Sequence, residues 1–249
     1  MKRSNLLIAA AAVLASAACN AEKGSDTAAG SSTPIEAVKP PADGDWSTVV
    51  SQTSAGGFVM GNPDAKVKLI EFGSMTCPHC ARFEETGVPS LVEKYVKSGQ
   101  VSFEFRNYVR DPFDIAVSLI ARCNGSTSFF PLTTALFKTQ QDWLGSFQNV
   151  PEDQLQAITS MGPDKQFLEI AKVAGLQQWA AMRGVPTAKS SQCLTDQEAV
   201  NQLVQMNSDT TTGFPEMQGT PSFVINGKML ENASTWELLE PKIREALGS

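Results

Sequence analysis

The tetrapeptide Cys-Pro-His-Cys at residues 77–80 constrains this chain more than any other stretch. It follows residues 67–72, whose apolar character predicts a strand, and it opens residues 78–97, whose apolar stripe predicts a helix with a kink or break at Pro89. Two cysteines one helical turn apart lie on the same face of a helix and can close a short ring. In this context the spacing indicates a redox-active pair.

The chemistry of the motif depends on each of its four residues. Cys77 would lie at the helix N-terminus, where unpaired N–H groups and the helix dipole favour a thiolate. Cys80 would face it one turn later, and Pro78 suits the first turn of a helix. His79 is the only histidine of the chain, and we predict that it stabilises the Cys77 thiolate, with a structural role as the alternative.

A Cys-x-x-Cys pair is also half of a common zinc site. Zinc needs four ligands, usually from two such pairs. The other cysteines are isolated singles, and the one histidine lies inside the motif. We therefore expect neither a metal nor another bound cofactor.

The first residues are typical of a secretory leader. Lys2 and Arg3 precede an apolar stretch at residues 6–14, and small residues at 15–18 offer cleavage sites. We interpret residues 1–18 as a signal peptide; a buried N-terminal helix, the alternative, suits the flanking charges poorly. Export would place the protein in the periplasm, where disulfides persist.

Cys19 follows the leader directly and is the odd one of five cysteines. One interpretation is a lipoprotein acylated on Cys19, although Ser16 departs from the usual pattern of such cleavage sites. The alternative is cleavage at a nearby alanine, with Cys19 removed or left in a flexible tail. Residues 19–45 are small and polar and are predicted to be a disordered tether, so any lipid would be the sole membrane contact.

Composition excludes some classes of function. Hydrophobic residues make up 42% of the chain, which is enough for a core, and the formal net charge is −6. An acidic chain is unsuited to binding nucleic acid. Beyond the leader, no apolar run is long enough to span a bilayer.

The pattern along the rest of the chain indicates an α/β unit interrupted by helices. Residues 46–112 and 208–249 would form its two parts, and residues 113–207 a helical insertion. The remaining predicted elements are strands at 101–108, 222–225 and 228–230 with a tight turn at 226–227, helices at 114–123, 129–140, 152–160, 164–174, 176–183 and 196–206, and a terminal helix at 235–247 capped by Ser234.

A second marker is Pro221, in the segment Gly-Thr-Pro-Ser-Phe at residues 219–223. Proline is excluded from central strands, so it would stand where a strand begins. An ordinary turn proline is one interpretation. The other is a cis-proline loop facing the cysteine pair, in which the backbone of Thr220 can pair with an extended substrate.

Taken together, these motifs resemble the bacterial DsbA family of thiol:disulfide oxidoreductases, which have the thioredoxin fold. The resemblance covers about residues 50–247 and implies a thioredoxin-like α/β fold with a large all-helical insertion. It is carried by Ile70-Glu71-Phe72, Cys77-Pro78-His79-Cys80, Phe83-Glu84-Glu85 and the segment from Thr220 to Gly227.

The resemblance implies roles for individual residues. Cys77 would be the nucleophile and Cys80 the buried resolving thiol. Glu71, six residues before Cys77, matches a buried acid that influences proton transfer at Cys80. Glu84 matches a charged residue near the active-site helix. The alternatives are a strand-edge glutamate for Glu71 and a solvated helical glutamate for Glu84.

The resemblance also implies an activity and partners. The protein would be an enzyme that introduces disulfides into reduced exported polypeptides and is reoxidised by a DsbB-like membrane quinone reductase. A polar segment at residues 20–45 cannot be a folded dimerisation domain, which favours a monomer. Thr220 also occurs in isomerase and reductase relatives, so these remain alternatives, as does a tethered, non-catalytic chaperone-like protein.

Two further sets of residues complete the predicted site. Cys123 and Cys193 lie in the helical block, and in an exported protein we expect them to form a structural disulfide; two buried free thiols are the alternative. An apolar rim around the cysteine pair would suit varied clients. Its candidate members are Met75, Phe214, Met217 and Thr220.

Overall fold

The computed structural model describes residues 37–40 and 44–249. The predicted signal peptide, Cys19 and most of the predicted tether therefore lie outside the described residues. Within the described part of the chain, no helix is both long and apolar enough to cross a bilayer.

A six-stranded mixed sheet forms the centre of the fold, in the order β1-β2-β4-β3-β5-β6. Strand β3 is parallel to β4 and antiparallel to β5. Five of its seven residues are buried and only Lys68 is exposed, as is typical of a central strand that is covered on both faces. The strands are β1 (Val50–Gln52), β2 (Phe58–Met60), β3 (Val67–Gly73), β4 (Val101–Asn107), β5 (Ser222–Ile225) and β6 (Lys228–Met229).

Helices account for most of the remaining described residues. Helix α1 follows β3 directly, and α3 to α10 lie between β4 and β5 as the predicted insertion. The helices are α1 (Pro78–Thr86), α2 (Val88–Leu91), α3 (Pro112–Arg122), α4 (Ser126–Lys138), α5 (Gln140–Gly145), α6 (Glu152–Thr159), α7 (Pro163–Val173), α8 (Leu176–Ala181), α9 (Thr187–Thr195), α10 (Gln197–Gly213) and α11 (Trp236–Leu247). Two helices of the insertion contact the rest of the fold: α4 packs against α1, and α10 packs against β4.

Four of the labelled strands and helices were not predicted from the sequence, namely β1, β2, α5 and α9. Strands β1 and β2 have three residues each, too few to show a period of two. They form because β2 pairs with β4 at the edge of the sheet. Helix α9 reads Thr-Ala-Lys-Ser-Ser-Gln-Cys-Leu-Thr and buries only Ser190 and Leu194, so it has no apolar stripe that a pattern could detect.

Two details of the predicted helices are wrong. The helix expected over residues 78–97 is three segments, because the chain breaks at Gly87, two residues before Pro89, and continues as α2 and a π-helical turn at Val92–Val96. The N-cap of α11 is Thr235 and not Ser234, since Thr235 is the residue with extended backbone angles before the first turn.

A disulfide joins Cys123, at the end of α3, to Cys193 in α9, with a Cα–Cα distance of 5.6 Å. The two cysteines are 70 residues apart in the chain. The bond therefore fastens α9, which buries little apolar surface of its own, to the most deeply buried helix of the insertion. The alternative of two free thiols does not describe this structure.

Candidate active site

The cysteine pair lies at the junction of β3 and α1. Cys77 is the N-cap residue of α1 and has extended backbone angles, and Pro78 occupies the first helical turn. Cys80 is fully buried, whereas Cys77 exposes 3% of its surface. Both are free thiols. Of the two sulfurs, that of Cys77 is the one nearer to solvent and the one that a second thiol can approach.

The two thiols have opposite acidities. The pKa of Cys77 is lowered from 9.0 to about 5, first by a hydrogen bond from the Cys80 thiol and then, against an opposing effect of burial, by hydrogen bonds with Thr220 and with the backbone N–H groups of Cys80 and His79. Burial, the hydrogen bond to Cys77 and the charges of Glu71 and Cys77 raise the pKa of Cys80 well above its usual value. At neutral pH the reduced site therefore holds one thiolate and one thiol.

The segment before β5 closes the other side of the site. The Thr220–Pro221 peptide bond is cis. In the protonated form, the Cys77 thiol donates a hydrogen bond to the Thr220 carbonyl oxygen at 3.2 Å, although the two residues are 143 positions apart. Because β5 pairs with β3, the loop is brought against Cys77, at the end of the turn that follows β3.

Two buried carboxyl groups lie beneath the cysteine pair. Glu71 is 1% exposed, and burial, followed by the charges of Glu84 and Cys77, raises its pKa well above the usual value. Glu84 is 9% exposed and accepts a hydrogen bond from the Thr134 hydroxyl. Burial raises the pKa of Glu84 to about 7. Neither group is a strand-edge or solvated side chain, so both of those alternatives are wrong.

We expect Glu84→Gln to stabilise the oxidised protein at alkaline pH. A raised pKa means that the folded state gives up stability as pH rises from 4.5 through about 7, since the unfolded chain ionises Glu84 first. The neutral amide avoids this cost, which is on the order of 3 kcal/mol. The measurement is the free energy of unfolding of variant and wild type at pH 4 and pH 8.

Glu85→Gln is the matched control for this prediction, since Glu85 lies in the same helix but is exposed, in an ion pair with Arg82. We expect no comparable pH-dependent gain from it. An equal gain in both variants, or none in Glu84→Gln, would show that the Glu84 carboxyl ionises normally.

One of the four predicted rim residues is misplaced, and for the other three the rim stays a prediction. Phe214, which contacts Phe72 at a ring distance of 5.3 Å, and Met217 are half-buried, as is Thr220. Met75 is fully buried and cannot touch a client; its side chain belongs to the core because the turn after β3 points it inward. The side chain of His79 is exposed, and the contribution of its imidazole to the thiolate stays a prediction.

Two clefts adjoin the site. One, of about 460 Å³, is lined by residues 216–223 and 229–234 and so runs along the cis-proline loop. The other, of about 470 Å³, lies between α1 and the helical insertion and includes Pro78, Ala81 and Phe137. Among the described residues no cluster of histidine, cysteine and carboxylate side chains is suited to hold a metal ion.

Two polar residues at the site were not predicted from the sequence. Asp114 in α3 and Gln140 at the start of α5 are 0% and 2% exposed, and both bind the turn between β3 and α1. Asp114 follows Asp111-Pro112-Phe113 and looks like an ordinary first-turn acid of a helix. Only its burial beside the turn reveals another role.

A dithiol at the start of a helix, opposite a cis-proline loop on a mixed sheet, defines a thioredoxin-fold protein with a redox-type cysteine pair. Comparisons with known proteins agree: the family model described as Thioredoxin matches residues 53–245. A Rickettsia bellii protein, provisionally named a protein-disulfide oxidoreductase, is 31% identical over 178 residues, which are 71% of this chain and 60% of that one. The chain thus spans about 60% of the length of that relative.

Solved structures give the same result. The crystal structure of a protein-disulfide isomerase from Novosphingobium aromaticivorans is 34% identical, with a TM-score of 0.73, covering 77% of this chain and 97% of that one. Wolbachia pipientis α-DsbA1 shares the fold at 19% identity, with a TM-score of 0.62 and coverage of 79% and 94%. This chain belongs to the Thioredoxin family and is a relative of protein-disulfide oxidoreductases, and its likeness to α-DsbA1 is one of fold.

Proposed function

We propose that this protein is a periplasmic thiol:disulfide oxidoreductase that introduces disulfides into reduced exported polypeptides through a Cys77–Cys80 disulfide. The observation that carries the proposal is the asymmetry of the dithiol. The pKa of Cys77 lies near 5, and the buried Cys80 keeps its proton. A thiol with a low pKa is a good leaving group, which is what the donor of a disulfide needs.

The exchange proceeds in two balanced steps. A client thiolate attacks the sulfur of Cys77, the Cys77–Cys80 bond breaks, and Cys80 leaves and takes up a proton. The second client thiolate then attacks the client sulfur of the mixed disulfide, and Cys77 leaves as a thiolate. The client dithiol is oxidised to a disulfide, and the enzyme disulfide is reduced to the dithiol.

The direction of exchange follows from the stabilised thiolate. Interactions that favour the Cys77 thiolate exist only in the reduced enzyme, so they lower its free energy relative to the disulfide. Glu71 and Glu84 are the nearby buried carboxyl groups, and Glu71 is the one whose charge acts on the pKa of Cys80. We assign to Glu71 the transfer of the proton that Cys80 gains and loses.

Clients would bind at the cis-proline loop. The backbone of Thr220, next to the Cys77 sulfur, can pair with an extended client segment, and the cleft along residues 216–223 extends this surface. A DsbB-like membrane quinone reductase would restore the disulfide. We further propose that the protein acts as a monomer, exported through residues 1–18 and held at a membrane, if at all, by a lipid on Cys19.

A disulfide isomerase or reductase is the second candidate. The Novosphingobium aromaticivorans structure, 34% identical, is named a protein-disulfide isomerase. The threonine at position 220, before the cis-proline, is also found in isomerase and reductase relatives. Such an enzyme would be kept reduced, and its potential would differ from that of an oxidase.

The deciding experiment is the reduction potential of the Cys77–Cys80 pair against glutathione, together with the titration of the Cys77 thiolate. A value near about −120 mV supports the oxidase, and one near about −270 mV, that of thioredoxin, supports the reductase. A Cys77 pKa near that of free cysteine would contradict both. Titrating His79→Ala alongside tests the imidazole, because an unchanged pKa would remove it from the mechanism.

A further inference from the structure

The turn between β3 and α1 is held by two buried side chains of the helical insertion. From α3, Asp114 accepts hydrogen bonds from the Met75 backbone N–H at 2.9 Å and from the Ser74 hydroxyl at 2.6 Å. From the first residue of α5, Gln140 donates to the carbonyl oxygens of Met75 at 2.8 Å and Cys77 at 3.0 Å. Both peptide groups that flank the Met75 side chain are therefore fixed by the insertion.

The held turn contacts the sulfur of Cys80 and includes the backbone of Cys77. The Ser74 backbone N–H points at the Cys80 sulfur at 3.5 Å. The Cys77 carbonyl, which Gln140 binds, also accepts the first hydrogen bond of α1, from Ala81 at 3.2 Å. A change in this peptide plane would therefore move the first turn of α1, whose N–H groups stabilise the thiolate.

No other interaction that the structure describes for Asp114 or Gln140 explains why these polar side chains are buried beside the turn. Asp114 has no cation bonded to its carboxylate among the described residues; its remaining partner is the Arg110 backbone N–H at 3.1 Å. The Oε1 atom of Gln140 is buried without a hydrogen-bond partner in the same part of the chain. Leaving a buried acceptor unpaired is costly, so the two bonds that the Gln140 amide donates must offset that cost.

We propose that Asp114 and Gln140 are positioning residues through which the helical insertion sets the reactivity of Cys77. They act on the Ser74–Cys77 turn and touch neither sulfur. The proposal rests on the proposed dithiol exchange, and it gives the insertion a second role, because the insertion not only covers the site but also aligns the donors to the thiolate.

The test is the titration of the Cys77 thiolate, by its absorbance and its alkylation rate, in Asp114→Asn, Gln140→Leu and wild type. We expect the pKa of Cys77 to rise by about half a unit or more, which is about a threefold smaller thiolate fraction at acidic pH. The direction is diagnostic. Burial raises the pKa of Asp114 to about 6, so Asp114→Asn removes little charge where Cys77 titrates, whereas misaligned donors raise the pKa of Cys77.

Matched controls separate positioning from loss of stability. Gln166 is also buried, and its amide donates to two carbonyls, those of Ile158 and Thr159, far from the turn. Gln166→Leu should destabilise the protein as Gln140→Leu does and leave the Cys77 titration unchanged. Asp196→Ala, which removes the N-cap of α10 and makes no contact with Asp114, serves the same purpose for Asp114.

Ser74→Ala gives an independent measurement if Asp114→Asn does not fold, because it removes one bond to Asp114 and one contact with the Thr76 hydroxyl and leaves the bond from the Met75 N–H in place. The titration uses no client, so its result does not depend on catalysis. Unchanged titration in Gln140→Leu and in whichever of the Asp114 and Ser74 variants folds, or a shift equal to that of the controls, overturns the positioning role. Failure of the wild type to oxidise a reduced client overturns the proposed function instead.

Discussion

Cys77→Ser is expected to reduce client oxidation to the uncatalysed rate. The hydroxyl of serine cannot form the enzyme disulfide, and no other cysteine among the described residues can replace it, since Cys80 is fully buried and Cys123 and Cys193 are already bonded to each other. The measurement is the rate at which the oxidised protein forms disulfides in a reduced, unfolded client. Full activity of the variant would favour a non-catalytic, chaperone-like protein that uses the same surface.

A second variant, Cys80→Ser, tests the role of the resolving cysteine. It keeps the reactive Cys77 thiolate but removes the resolving sulfur, so we expect it to form mixed disulfides with client cysteines that cannot be released. The hydrogen bond from the Cys80 thiol is the largest contribution to the low pKa of Cys77, and serine keeps a donor there, so the pKa of Cys77 should rise in Cys80→Ala rather than in Cys80→Ser. Mixed disulfides through another cysteine, seen by peptide mapping, would contradict the assignment of Cys77.

Replacing both Cys123 and Cys193 by alanine is expected to lower the free energy of unfolding by about 4 kcal/mol. The bond closes a loop with a sequence separation of 70, and opening such a loop raises the entropy of the unfolded chain. Helix α9 should be affected most, since its buried residues are only Ser190 and Leu194. Denaturant unfolding of the variant against the wild type measures the loss.

The comparison should be made in the Cys77→Ser background, so that the redox pair does not change state during unfolding. Leu194→Ala in the intact disulfide protein is the control, because it weakens the packing of α9 and keeps the cross-link. A loss below about 1 kcal/mol on removing the disulfide would show that the insertion is held together by packing alone.

Some strands and helices could be predicted from the sequence and others could not. Strand β3 and helix α1 were evident because seven largely apolar residues precede a Cys-Pro-His-Cys motif at a helix start. The short strands β1 and β2 were not, because three residues carry no period, and β4, the partner of β2, is far away in sequence. Helix α9 was missed because a cross-link, more than an apolar stripe, holds it in place.

The features of the candidate site also fall into those that the sequence predicted and those that it did not. The cysteine pair and Pro221 could be predicted because the chemistry of each is local: a thiol at a helix N-terminus and a proline where a strand begins. The inward direction of Met75 could not, since it depends on the turn that Asp114 and Gln140 hold. The burial of Glu84 could not either, because α4 has to pack over α1 before that carboxyl loses its water.

The sequence by itself thus determined the type of reaction, because a Cys-x-x-Cys pair and its helix are defined within a few neighbouring residues. Only the tertiary structure decided how acidic Cys77 is and which residues hold its turn. Those properties depend on donors, burial and charges contributed by Thr220, Asp114 and Gln140, which are distant in the chain and meet only when the insertion packs against the sheet.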